Sequence, residues 1–159
     1  MGLTLHCVGK LREHFYMEAA AEYLKRLSTL MPCLVMETAD EPEPKQLSQS
    51  AIEQVLRAEG ARLLVKIPPN AYVIALCIDA KQYQSEEFAH KLDSLRIAGR
   101  SDIAFVIGGS LGLHASVLAR ADEHMSISRM TFPHQLARVI LLEQLYRAAK
   151  ITAGQRYHK

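Results

Sequence analysis

Tryptophan is absent from this 159-residue chain, cysteine occurs three times, and aromatic residues make up only 6% of it. The cysteines, Cys7, Cys33 and Cys77, are odd in number, widely spaced and each set in an apolar run. That pattern excludes a disulfide framework and a C-x-x-C motif, and reads as buried free thiols in a reducing compartment. No apolar run approaches the roughly 20 residues needed to span a membrane. The opening "MGLTLHCVGK" lacks the basic-then-apolar layout of a secretion signal, and His6 stands where myristoylation wants Ser or Thr. A cytoplasmic protein without a membrane partner is therefore expected. The seven histidines show no metal-ligand spacing, so no metal is expected. Paired carboxylates and a Ser-His-Asp arrangement are also missing.

Charge of one sign is scarce overall but not locally. The net charge is +2, yet His124 to Lys159 carries six basic residues (Arg129, Arg138, Arg147, Lys150, Arg156, Lys159) against one acid, Glu143. That end has a charge of +5, which leaves −3 for the first 123 residues. A basic end on an acidic body points to an anionic partner, with a chance imbalance on a solvated helix face as the plainer reading.

What is present is an alternation. An apolar fraction of 49% and a charged fraction of 23% fit one soluble domain over residues 1–159. "LTLHCVG" reads as a first strand, followed by an amphipathic helix from Arg12 to about Leu30. "CLVMET" is a second strand, and a helix follows from about Ser48 to Val65. "YVIALCID" and "IAFVI" are apolar enough for strands covered on both faces. Between them lies a helix expected to be capped by Ser85 and to end near Gly99 in a left-handed turn. After "GGSLGLH" come a short helix to about Ala121 and a fifth strand, "HMSIS". A last helix starts with Pro133 as its first residue. The fold class is α/β, a mostly parallel sheet of about five strands with helices on both faces.

In such sheets ligands bind beyond the carboxyl ends of the strands. Three ends carry informative residues: "ALCID", "VIGGSLG" and "SISRMTF". The glycine loop is neither a P-loop nor a G-x-G-x-x-G fingerprint, and tight turns alone explain many such loops. The last helix says more. At about 100° per residue, His134 and Arg138 share a face that continues as Leu141, Leu145 and Ala149, with Glu143, Arg147 and Lys150 opposite. A polar start on a stripe that becomes core is expected where a helix begins at a pocket's edge, with a partner subunit as a candidate second surface. The plainer reading has those polar tips hydrogen-bonded within the fold.

The segments "FVIGGSLGL", "SISRMTFPHQLARVILLEQLYRA" and the terminal "YHK" resemble the ribosomal RNA large subunit methyltransferase H family, of the SPOUT class of knotted α/β methyltransferases. The similarity covers the whole chain, including the opening "VGK", and departs at Leu111, where a polar residue is more usual. The resemblance implies a C-terminal deep trefoil knot, which periodicity cannot reveal and general topology rules disfavour. It implies methylation of N3 of a pseudouridine in large-subunit (23S) ribosomal RNA by a homodimer acting on assembled ribosomes, with S-adenosylmethionine as methyl donor. Cofactor contacts then fall on Leu76, Gly108, Ile127, Ser128, Arg129, Met130, Thr131 and Phe132.

On that footing Arg138 is expected to hold the base or its developing negative charge. His134 or His158 is the expected proton acceptor, and Tyr157 the residue that stacks on the base. The tail "RYHK" is expected to act in a site held mainly by the other subunit. Arg129, Arg147, Lys150, Arg156 and Lys159 are phosphate-contact candidates. Two other classes remain open: a small nucleotide-cofactor oxidoreductase, which lacks the acidic ribose partner of a proper fingerprint, and a non-catalytic ribosome-binding factor.

Overall fold

The computed structural model describes residues 2–157, so His158 and Lys159 lie outside the described residues. Chain order is β1 (Gly2–Val8), α1 (His14–Leu27), β2 (Cys33–Thr38), α2 (Gln49–Lys66), β3 (Tyr72–Lys81), α3 (Ser85–Ile97), β4 (Asp102–Ile107), α4 (Ala115–Arg120), β5 (Glu123–Met125) and α5 (His134–Thr152). Every pairing is parallel, in the order β2-β1-β4-β3-β5. No helix among the described residues is long and apolar enough to cross a membrane.

The two-residue period of a strand divides the core in two. From β4, the central strand, Ile103, Phe105 and Ile107 join the cluster containing Ala20 and Leu27 of α1, Phe88 and Leu92 of α3, and Leu141, Leu142 and Leu145 of α5. The alternate residues Ala104 and Val106 meet Leu63 of α2 and Val117 of α4. Larger side chains thus face the three-helix layer and smaller ones the two-helix layer. Burying a Phe or Leu contributes roughly 1.5–3 kcal/mol, so the first layer holds most of the apolar stabilisation.

Several boundaries differ from the expected ones for local reasons. Gln84, not Ser85, caps α3, through a capping box with Glu87, while the Ser85 hydroxyl donates to Oε1 of Gln144 on α5 at 3.0 Å. Pro133 is the N-cap of α5 rather than its first helical residue. The fifth strand stops at Met125: the Ser126 N–H still donates to the Lys81 carbonyl of β3 at 2.8 Å, but beyond it serine side chains tie the chain locally, the Ser126 hydroxyl donating to the Ser128 carbonyl at 2.9 Å and the Met130 N–H to the Ser128 hydroxyl at 3.0 Å. Gly99 takes the left-handed conformation expected past a helix end, with φ of 77°.

Candidate functional site

The loop after β5 forms one wall of a cleft of about 440 Å³ at the carboxyl ends of β3, β4 and β5. The three ends singled out by sequence meet here: Leu76 from β3, Gly108 after β4, and Ile127, Ser128, Met130, Thr131 and Phe132 after β5. Arg129 is exposed and is the one member of the run 127–132 absent from the lining. Among the described residues no Lys or Arg lines the cleft.

Glycine at 108 is a steric requirement. A Cβ there would lie 2.3 Å from the carbonyl oxygen of Gly112, so the backbone of the loop would have to shift to admit it. The loop closes on itself through the Gly112 N–H, which donates to Gly109 O at 3.2 Å, and Gly112 has φ of 95°.

A second chamber of about 310 Å³ adjoins the first and shares Gly109, Ser110 and His134 as its wall. Its other sides come from the ends of β1 and β2 and from α2, and include Lys10, Arg12, Asp40, Glu41, Glu43 and Glu59. Arg12 is tied at both ends: its N–H donates to Gln135 Oε1 at 2.7 Å, and its guanidinium meets Asp40 at 3.1 Å. His134 stands in both walls. Burial, then the nearby Arg138 charge, lowers its pKa from the usual value of 6.5, so the ring is neutral at pH 7.

Arg138 does not stand at the pocket's edge. It is 1% exposed, lines neither chamber, and donates to Glu37 Oε1 at 2.7 Å and to the Gly9 carbonyl at 2.9 Å. One turn after His134 the helix has already come down onto the sheet, so the guanidinium reaches the ends of β1 and β2 instead of a ligand. The shared helical face was right, but depth along it was not legible from spacing.

Tyr157 also lies away from both chambers. Its ring packs edge-on against Tyr146 on α5 at 5.2 Å, and the Arg147 guanidinium sits over it at 4.4 Å. Arg147 bonds Glu143 at 2.5 Å, and Lys150 bonds Gln155 at 2.6 Å, so both are engaged within the chain. Arg156, like Arg129, is exposed. Burial raises the Cys7 and Cys33 thiols to about 12, which leaves them inert at neutral pH.

Two functional candidates went unseen in the sequence, Glu37 and Glu59. A sign of the latter was present: Gly60 interrupts a helix, and a Cβ there would lie 2.8 Å from the His114 side chain. An isolated helical glycine marks close approach of another element, here α4 and the glycine loop beside Glu59.

Comparison with known proteins bears on the family and the fold. Residues 1–158 match the family model described as "Predicted SPOUT methyltransferase". The chain is 51% identical, over the full length of both, to ribosomal RNA large subunit methyltransferase H of Listeria monocytogenes. It is 50% identical, again over both full lengths, to the protein of that name from Carboxydothermus hydrogenoformans. Among solved structures, a probable methylase family protein from Haemophilus influenzae superposes with a TM-score of 0.56 at 15% identity, covering 99% of this chain and 70% of that one. A putative methylase family protein from Neisseria gonorrhoeae gives 0.52 at 11% identity, covering 99% and 87%. At such identities the two structures speak to the fold alone.

Proposed function

We infer the function from one premise: the chain belongs to the SPOUT methyltransferase family. It is a methyltransferase that takes its methyl group from S-adenosylmethionine and modifies ribosomal RNA of the large subunit. The finer reading is methylation of N3 of a pseudouridine in 23S RNA, on assembled ribosomes, by a cytoplasmic homodimer in which residues 1–159 form one domain. The same membership supports a C-terminal trefoil knot, with the segment after β5 threaded through the chain before it.

The observation that carries the reading is a pair of adjoining chambers. The larger fits a methyl donor whose sulfonium is cationic, since among the described residues no Lys or Arg lines it and the His134 imidazole in its wall is neutral. Its volume falls within the roughly 300–1,000 Å³ of ligand clefts. Leu76, Ile127 and Phe132 would hold its adenine, backbone groups of Ser128 to Phe132 would meet the polar edge, and Gly108 would leave room for the ribose and methionine portion. The bound donor supplies an electrophilic methyl group. The neighbouring chamber takes the target base, so that its nitrogen approaches across the Gly109–His134 wall. Alignment of this kind supplies much of the acceleration in a bimolecular transfer.

Within this reading His134 contacts the base. Arg138 holds the β1 end and Glu37 in place, a positioning role. The own-chain Tyr157 packs on α5, which supports a tail (Tyr157 and His158) that completes the partner's site. Arg129 and Arg156 are the free phosphate contacts, joined by Lys159 from outside the described residues, while Arg147 and Lys150 must first leave Glu143 and Gln155.

The test is methylation of purified ribosomes lacking the modification, followed by mapping of the modified nucleotide. Methyl incorporation at N3 of a pseudouridine is expected. No incorporation, together with calorimetric binding of NAD in preference to S-adenosylmethionine, sinks the reading in favour of an oxidoreductase.

A further inference from the structure

Glu59 is 5% exposed, an unusual state for a carboxylate in the middle of a helix. One of its oxygens, Oε1, accepts the Glu41 N–H at 2.9 Å. The other, Oε2, makes no hydrogen bond among the described residues, and Glu59 lines the second chamber. Glycine at 109 brings the backbone between the chambers against this carboxylate: a Cβ at 109 would lie 3.3 Å from Oε2 and 3.6 Å from Oε1. A buried acceptor with a free oxygen, one backbone's thickness from the donor cleft, has no structural task that its Glu41 bond does not already meet.

We propose that Glu59 is the proton acceptor of the reaction, its Oε2 receiving the N–H proton of a uracil-type base held in the second chamber. This rests on the methyltransferase reading above and names the base it left open. The N–H bond breaks and its proton moves to Oε2. The pair left on nitrogen forms the new N–CH3 bond, while the S–C bond breaks and its electrons return to sulfur, giving a neutral thioether. The neutral His134 ring, on the same wall, retains one N–H to offer the carbonyl oxygen on which charge develops.

The surroundings suit the role. Burial, then the Glu41 N–H, Asp40, Glu41 and Arg62 act on the carboxyl, and the net result raises its pKa above the usual 4.5. A stronger base than an exposed carboxylate results. Lys10, Arg12, Glu43 and His134 also face the chamber, with Arg12 held by Asp40 and Arg62 by Glu41.

Glu59→Gln keeps an oxygen for the Glu41 N–H and removes the base. Ribosome methylation by this variant is expected to fall about 10²-fold at pH 7, the contribution of one general base, with unchanged calorimetric affinity for S-adenosylmethionine. Its rate is expected to climb about tenfold per pH unit, following ionisation of the base itself, where the wild type is flat. Glu59→Asp should restore part of the rate and the flat profile. Cofactor affinity lost along with activity overturns the assignment in favour of a structural role. A variant matching the wild type in rate and profile overturns it outright. A wild type inactive on ribosomes overturns the function itself, and this assignment with it.

Discussion

Arg138 and Glu37 are 101 residues apart in sequence and meet at 2.7 Å, joining α5 to the end of β2. The pair is lopsided: the arginine side chain is 1% exposed and the glutamate 35%. Removing Glu37 leaves a buried guanidinium bonded to the Gly9 carbonyl but without its carboxylate, whereas removing Arg138 leaves a carboxylate that water can reach. Glu37→Ala is therefore expected to cost about 3 kcal/mol, in the range for breaking a buried pair. Urea unfolding measures it, and a loss under about 1 kcal/mol would show that the pair is not needed for the fold.

Gly108→Ala places a methyl group where the Gly112 carbonyl oxygen stands, at 2.3 Å. The loop must move, and the cleft moves with it. S-adenosylmethionine binding should weaken about a hundredfold, or about 3 kcal/mol. Calorimetry checks this, and wild-type affinity would show that the loop does not cradle the donor.

Deleting Tyr157 to Lys159 removes a ring that packs on Tyr146 and under Arg147 but borders neither chamber. Cofactor binding should survive and turnover should vanish. Mixing this truncation with Gly108→Ala should restore up to about a quarter of the activity, in dimers that pair one intact tail with one intact cleft. No recovery on mixing would count against a site shared between subunits.

Glu123 ties β5 to β3 and α3. It accepts from Tyr72 at 3.0 Å and from Tyr83, and pairs with Lys91 at 2.6 Å. Burial pushes its carboxyl up, but Lys91 and the two hydroxyls outweigh burial and hold it below the usual 4.5. A carboxyl depressed by folding contributes stability above its unfolded pKa and loses it as pH falls through the folded one. Glu123→Gln should thus cost about 1–2 kcal/mol at pH 7, with the difference narrowing below pH 4.5. Thermal unfolding across that window is the measurement, and a constant gap would refute the linkage.

Much of this was legible because strands and helices announce their periods. The runs that became β3 and β4 are apolar on both faces, as strands covered from two sides must be, and the three informative strand ends do meet in one cleft. Depth was the missing quantity. Spacing put Arg138 on the face of His134 without saying that the helix descends between them. Glu59 read as one more polar residue on a helix, since only the tertiary approach of Gly109 distinguishes it. The end of β5 was hidden because serine side chains in Ser126–Ser128 replace the ladder's bonds with local ones.

The 19 residues of α5 make a rod about 28 Å long, with His134 at one end and the tail leaving from the other. If each tail serves the other subunit's cleft, a lone chain has both halves of a site and can never bring them together. Total activity should then fall on dilution with the square of protein concentration, and specific activity in proportion to that concentration, as dimers separate, so that abundance sets the working unit.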